Sequence, residues 1–235
     1  MATDSPGAIP SDTSRTMVSG PSGLVTSFEM FSAVRTFILL CVLVVPAVAR
    51  TDGRAILVFG DSISAAYGLE AREGWVALLQ KRIEDQGYGY RVVNASVSGE
   101  TTSGGNARLA RALKLHQPQI LVLELGANDG LRGLPLAVSR QSLAAMIEAG
   151  QAQGAKVLLL GMRIPPNYGA RYTDAFARMY AELAQQYRVP LVPFFMEKVA
   201  LDGKLMQADG LHPTAAAQPL LLDTAWPALQ RLLKH

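Results

Sequence analysis

Cysteine is almost missing from this sequence. The 235-residue chain has one, Cys41, and it falls inside an apolar stretch near the amino terminus. Once that stretch is removed no thiol remains, which excludes disulfides and a cysteine nucleophile. Histidine is scarce too: there are three, His116, His212 and His235. With no Cys or His cluster, and with acids not grouped at ligand spacing, no metal is expected. Lys and Arg are scattered, and the formal net charge is only +3. A nucleic-acid partner is therefore not expected. A phosphate-cradling glycine loop is absent, so no cofactor is expected. The G-x-S-x-G elbow is absent as well, which sets aside the α/β-hydrolase form of serine chemistry.

Long apolar runs are also lacking. From Met30 the chain reads MFSAVRTFILLCVLVVPAVAR. One Arg, an apolar stretch broken by Pro46, and Ala47-Val48-Ala49 make an n-region, an h-region and a cleavage site. The stretch is too short for a convincing membrane span. The reading is a secretory signal over 30–49, cut after Ala49, followed by one domain over 50–235 with no stable membrane anchor. Residues 1–29 are rich in Ser, Thr, Gly and Pro with little periodicity, and read as a disordered leader outside the true protein, whose start is then Met30.

What remains is 49% hydrophobic over the whole chain, enough for one real core. Apolar runs at 55–59, 91–94, 119–125, 156–161 and 189–192 predict short buried strands. Helix-period segments alternate with them, seen in Trp75, Leu78, Leu79 and Ile83, in Leu109 and Leu113, in Leu143 and Ile147, and in Phe176, Tyr180 and Leu183. This pattern predicts an α/β fold, a flavodoxin-like three-layer α/β/α sandwich around a five-stranded parallel sheet. In such a sheet the loops after the strands gather on one edge, where ligands bind.

Chemically capable residues cluster in those loops. Ser62 follows the first strand in VFGDSISAAYGL, Gly99 the second in NASVSGETTSGG, and Asn128 the third in LELGANDG. Asp209 and His212 follow the fifth in ADGLHP. A serine nucleophile needs a base within reach, a third group to fix the base, and donors for the developing oxyanion. Of the histidines, His116 ends a helical segment, where the helix dipole explains it, and His235 is the last residue. His212 is the candidate base, with Asp209 three positions earlier to hold one imidazole nitrogen. Each residue also has a plainer reading. Asp61 can hold the turn, Gly99, Gly104 and Gly105 can be turn glycines, and Asn128 with Asp129 can form an Asx turn.

GDSI, the Gly99 segment, GAND and DGLHP resemble the four sequence blocks of the SGNH hydrolases, the GDSL family of esterases and lipases. The likeness spans nearly all of residues 55–232. ELGANDGLRG, MRIPPNYGARY and VPLVPFFMEKV extend it toward the family's bacterial periplasmic esterases. Ile63 and Ala127 depart from the commoner Leu and Gly. The resemblance implies Ser62 as nucleophile, His212 as base and Asp209 as its orienting partner. It also implies an oxyanion hole from the Ser62 and Gly99 backbone N–H groups with the Asn128 amide, and periplasmic placement.

The expected function is a serine esterase acting on a small-molecule acyl ester or thioester: aryl esters, short and medium acyl esters, acyl-CoA and lysophospholipids. The expected state is a monomer. The likeness suggests an acyl groove bordered by Leu131, Leu134, Ile164 and Pro165, for which ordinary loop packing is the alternative. Rival readings are an acyltransferase or carbohydrate deacetylase with the same triad, and a non-catalytic binding module. Peptide mapping of the precursor is expected to return no peptide from residues 1–29.

Overall fold

RAILVFG forms β1 (Arg54–Gly60), with every residue after Arg54 buried, as expected of a strand covered on both faces. β2 (Tyr90–Asn94), β3 (Ile120–Glu124), β4 (Lys156–Leu160) and β5 (Leu191–Val192) join it in one parallel sheet of order β2-β1-β3-β4-β5. The computed structural model describes residues 54–234. The expected leader at 1–29, the expected signal at 30–49 and Cys41 lie outside the described residues.

The helices are α1 (Trp75–Asp85), α2 (Thr102–His116), the short α3 (Ala127–Leu131), α4 (Leu136–Ala152), α5 (Ala170–Tyr187) and α6 (Gln218–Gln230). They cover both sides of the sheet. α1 packs with α6, while α2, α4 and α5 pack in a row. Strand order reverses between β2 and β3, and right-handed crossovers then put α1 and α2 on opposite faces. Of the periodic residues, Trp75, Leu79, Ile83, Leu109, Leu113, Leu143, Ile147, Phe176, Tyr180 and Leu183 are buried, and Leu78 is half-buried against the core.

Two expectations are corrected and one helix is added. The fifth strand is two residues long rather than four, because Val189 N–H bonds back to Ala184 O to close α5 and Pro190 has no N–H to donate. Gly104 and Gly105 lie inside α2 and are not turn glycines. A Cβ on Gly105 would stand 2.5 Å from Leu125 Cδ1, so glycine lets α2 press close to the end of β3. Finally, α6 was not anticipated from its sequence, which carries Pro219 and Pro227. Pro219 lies in the first turn, where no helical N–H partner is needed.

Gly126 joins β3 to α3 with φ +120, outside the range of L-residues, and a Cβ there would meet Tyr180 Oη at 2.2 Å. The Tyr180 hydroxyl donates to Leu125 O and has little room to move. Gly126→Ala is expected to lower stability by about 2 to 4 kcal/mol in urea denaturation, from backbone strain and overpacking together.

Candidate active site

The site grows from the ends of β1 and β3. Asp61 and Ser62 leave β1 directly, and residues 61–69 form a series of turns rather than a helix. Asp61 Oδ1 accepts from Ile63 N–H at 3.0 Å, an Asx turn that holds Ser62 outward. Ala66 (φ 58) and Gly68 (φ 76) are left-handed and reverse the chain before α1 begins.

Ser62 Oγ lies 2.9 Å from His212 Nε2, and Asp209 Oδ2 lies 2.6 Å from His212 Nδ1. A carboxylate only accepts, so the contact puts the imidazole proton on Nδ1 and leaves Nε2 to accept from the serine. Asp209 Oδ1 also accepts from Leu211 N–H and His212 N–H, at 2.9 and 3.0 Å. The side-chain bond to His212 and then these backbone bonds hold the Asp209 carboxyl down at about 2.

The remaining predicted site residues surround this row. Among the described residues neither Ser62 N–H nor Gly99 N–H has an acceptor. Gly99 has φ +78, and the exposed Arg132 guanidinium donates to its carbonyl at 3.2 Å. Asn128 Nδ2 donates to Glu100 O at 3.0 Å and to Asp61 Oδ2 at 3.3 Å, so its amide sits where the first three loops meet. Asp129 is not an Asx-turn residue: it is buried, and accepts from Thr102 N–H, Thr102 Oγ1 and Ser139 Oγ. These bonds to the start of α2 lock α3, and Asn128 with it, against the Gly99 loop.

The four apolar groove candidates divide. Leu131 and Leu134 are half-buried, and their carbonyls accept from Tyr168 Oη at 2.8 Å and Tyr172 Oη at 2.9 Å. Pro165 is exposed. Ile164 is 7% exposed and packs where a Gly130 side chain would be. It also lines a cleft of about 350 Å³, flanked by Arg163 and Arg178 and so more polar than a purely apolar groove. Among the described residues no group of three or more His, Cys, Asp or Glu could hold a metal, and no helix is long and apolar enough to cross a membrane.

Glu124 was missed. It ends β3 fully buried, and its Oε2 accepts from Ser64 Oγ at 2.7 Å and from Asp61 N–H at 3.3 Å, directly beneath the Ser62 turn. Oε1 has no partner among the described residues. Burial, then the nearby Asp61 charge, push the Glu124 carboxyl well above its ordinary range. Burial likewise raises Asp61 to about 6. The available signal was an acid within the apolar run ILVLELG.

A doubly wound sheet with Ser, His and Asp in a row at its carboxyl edge defines a hydrolase class, and the comparisons identify the family. Residues 58–219 match the GDSL-like Lipase/Acylhydrolase family, and the chain belongs to it. It is an ester-bond hydrolase. It is 54% identical to "Esterase TesA" of Pseudomonas aeruginosa over 193 residues, covering 82% of this chain and 96% of that protein. It is 44% identical to "Thioesterase 1/protease 1/lysophospholipase L1" of Escherichia coli over 180 residues, covering 77% of this chain and 85% of that protein. Among solved structures, a crystal structure of TesA aligns with a TM-score of 0.75 at 57% identity, covering 77% of this chain and all of that one.

The buried acid has a signature in stability. A carboxyl raised on folding contributes fully below its unfolded value and loses that contribution as pH climbs toward its folded value. Glu124→Gln keeps an acceptor for Ser64 and Asp61 but does not titrate. Denaturation at about pH 5 and about pH 8 is expected to show the variant gaining stability relative to wild type at the higher pH.

Proposed function

We propose that the chain hydrolyses carboxylic esters and thioesters through an acyl-Ser62 intermediate. The observation that carries this reading is the continuous row Ser62–His212–Asp209, with contacts of 2.9 and 2.6 Å. His212 Nε2 takes the Ser62 proton as Oγ attacks the carbonyl carbon, and Nε2 then delivers that proton to the leaving oxygen or sulfur. Water, deprotonated by the same nitrogen, resolves the acyl-enzyme and returns the serine. Asp209, ionised far below neutral pH, holds the ring and stabilises its charged form.

The oxyanion hole in this reading is Ser62 N–H, Gly99 N–H and the Asn128 amide. Two of these donors have no competing acceptor among the described residues, and Asn128 gives up only its longer bond, to Asp61, to turn toward an oxyanion. Leu131, Leu134, Ile164 and Pro165 flank the acyl chain. Apolar contacts of this kind discriminate by only ~1 to 3 kcal/mol per methylene, which supports a broad substrate range over aryl esters, short and medium acyl esters, acyl-CoA and lysophospholipids. The protein acts as a monomer in the periplasm. One chain supplies every member of the site, and cleavage after Ala49 leaves β1, which begins at Arg54, intact.

Purified protein is expected to turn over p-nitrophenyl butyrate and palmitoyl-CoA, and Ser62→Ala to abolish both activities. Asn128→Ala is expected to lower kcat by about 100-fold, on the order of 3 kcal/mol of transition-state stabilisation. Asp209→Asn is expected to lower it by about 10⁴-fold, by freeing the wrong tautomer of His212. Full activity in Ser62→Ala would overturn the assignment.

A further inference from the structure

The loop that carries Asp209 and His212 has no regular structure beyond one antiparallel bridge between Met206 and Pro213. Individual hydrogen bonds therefore set its place over the sheet edge. Gln207 N–H donates to His212 O at 2.7 Å, and Gly210 N–H to Gln207 O at 2.9 Å. These bonds close the loop on itself but do not tie it to Ser62.

Two glutamine side chains do reach across. The Gln218 amide, buried at the start of α6, accepts from Trp75 N–H at 3.0 Å and donates to Thr214 O at 3.3 Å. It joins helix starts, away from the reacting atoms. The Gln207 amide is half-buried and donates from one nitrogen to two carbonyls, Pro213 O at 2.9 Å and Tyr67 O at 2.8 Å. Pro213 follows His212 directly. Tyr67 lies in the turn after Ser62, and its ring packs on the His212 imidazole with centroids 4.5 Å apart. Gly68 leaves the space this amide needs, since a Cβ there would stand 2.4 Å from Gln207 Oε1.

We infer that Gln207 is a positioning residue whose amide is the strut between the His212 loop and the Ser62 turn, and so sets the contact between serine and histidine. The inference rests on the roles of Ser62 and His212 proposed above. Both acceptors are carbonyl oxygens, so a group with two protons on one nitrogen fits and a carboxylate does not. His212 must meet two partners in turn, accepting from Ser62 Oγ and then donating to the leaving oxygen. A displaced ring fails most where that second transfer matters, with an alkoxide leaving group, and least with p-nitrophenolate, which departs without a proton.

The test compares kcat/KM for ethyl butyrate and p-nitrophenyl butyrate, which share an acyl group, in wild type, Gln207→Met, Gly68→Ala, Gln218→Met and Ser62→Ala. Gln207→Met is expected to lose ~30-fold or more on the ethyl ester and only ~3-fold on the aryl ester, dropping their ratio about 10-fold. Gly68→Ala, which attacks the same contact from the other loop, is expected to drop the ratio likewise and decides the matter if Gln207→Met does not fold. Gln218→Met is expected to lower the melting temperature and leave the ratio unchanged. Ratios within about two-fold of wild type in both Gln207→Met and Gly68→Ala, with Ser62→Ala inactive, overturn the strut alone. Activity surviving in Ser62→Ala overturns the catalytic reading beneath it.

Discussion

The contact between Ser62 Oγ and His212 Nε2 joins residues 150 positions apart, and a hydrogen bond tolerates only a few tenths of an ångström of error. Meeting that tolerance is the task of most of the molecule. The parallel sheet does the coarse part. It places the end of β1 beside the end of β3 by direct pairing, Gly60 opposite Glu124, and sends every later loop to the same edge. The fine part falls to side chains that bridge loops: Asp129 between α3 and α2, Asn128 among three loops, and Gln207 beside the histidine.

The same edge holds acids taken out of water. Asp61, Glu124 and Asp129 are all essentially unexposed at the carboxyl ends of β1 and β3. Burying such groups is costly unless they are hydrogen-bonded or protonated. Asp129 is satisfied by three donors, whereas Glu124 has two donors on Oε2 and none on Oε1, and burial pushes its carboxyl well above the ordinary range. The serine turn thus stands on a buried carboxyl, with Ser64 Oγ also accepting from Trp75 Nε1 to carry the network into α1. Asp209, in contrast, is kept ionised by donors at the surface, which suits a partner for an imidazolium.

Much of this could be read along the chain. The strands lay where apolar runs ended in turn residues, and the helix periods of Trp75, Leu79 and Ile83 or of Phe176, Tyr180 and Leu183 marked buried faces because an amphipathic stripe is a local property. Ser62, Gly99, Asn128, Asp209 and His212 were legible because each follows a strand in a short, unusual cluster. Other features were not. Glu124 reads as one charge in an apolar run, and nothing local tells a buried acid from an exposed one. Ile164 both lines a cleft and fills the space left by Gly130, and that second contact is a long-range fit. Gln207 looks like any loop glutamine until Tyr67 stands opposite it. Pro219 and Pro227 hid α6, because proline argues against a helix in sequence; Pro219 is tolerated in the first turn, while Pro227 lies inside the helix.

Sequence by itself determined the class of fold and the chemical types available at its edge, since hydrophobic period and residue chemistry are carried by neighbours in the chain. Tertiary structure alone decided which of those residues touch, which carboxyls are buried, and which amide holds the histidine to the serine. These depend on distances between loops that the chain separates by tens to hundreds of residues. Only closure of the sheet and packing of its helices fix such distances.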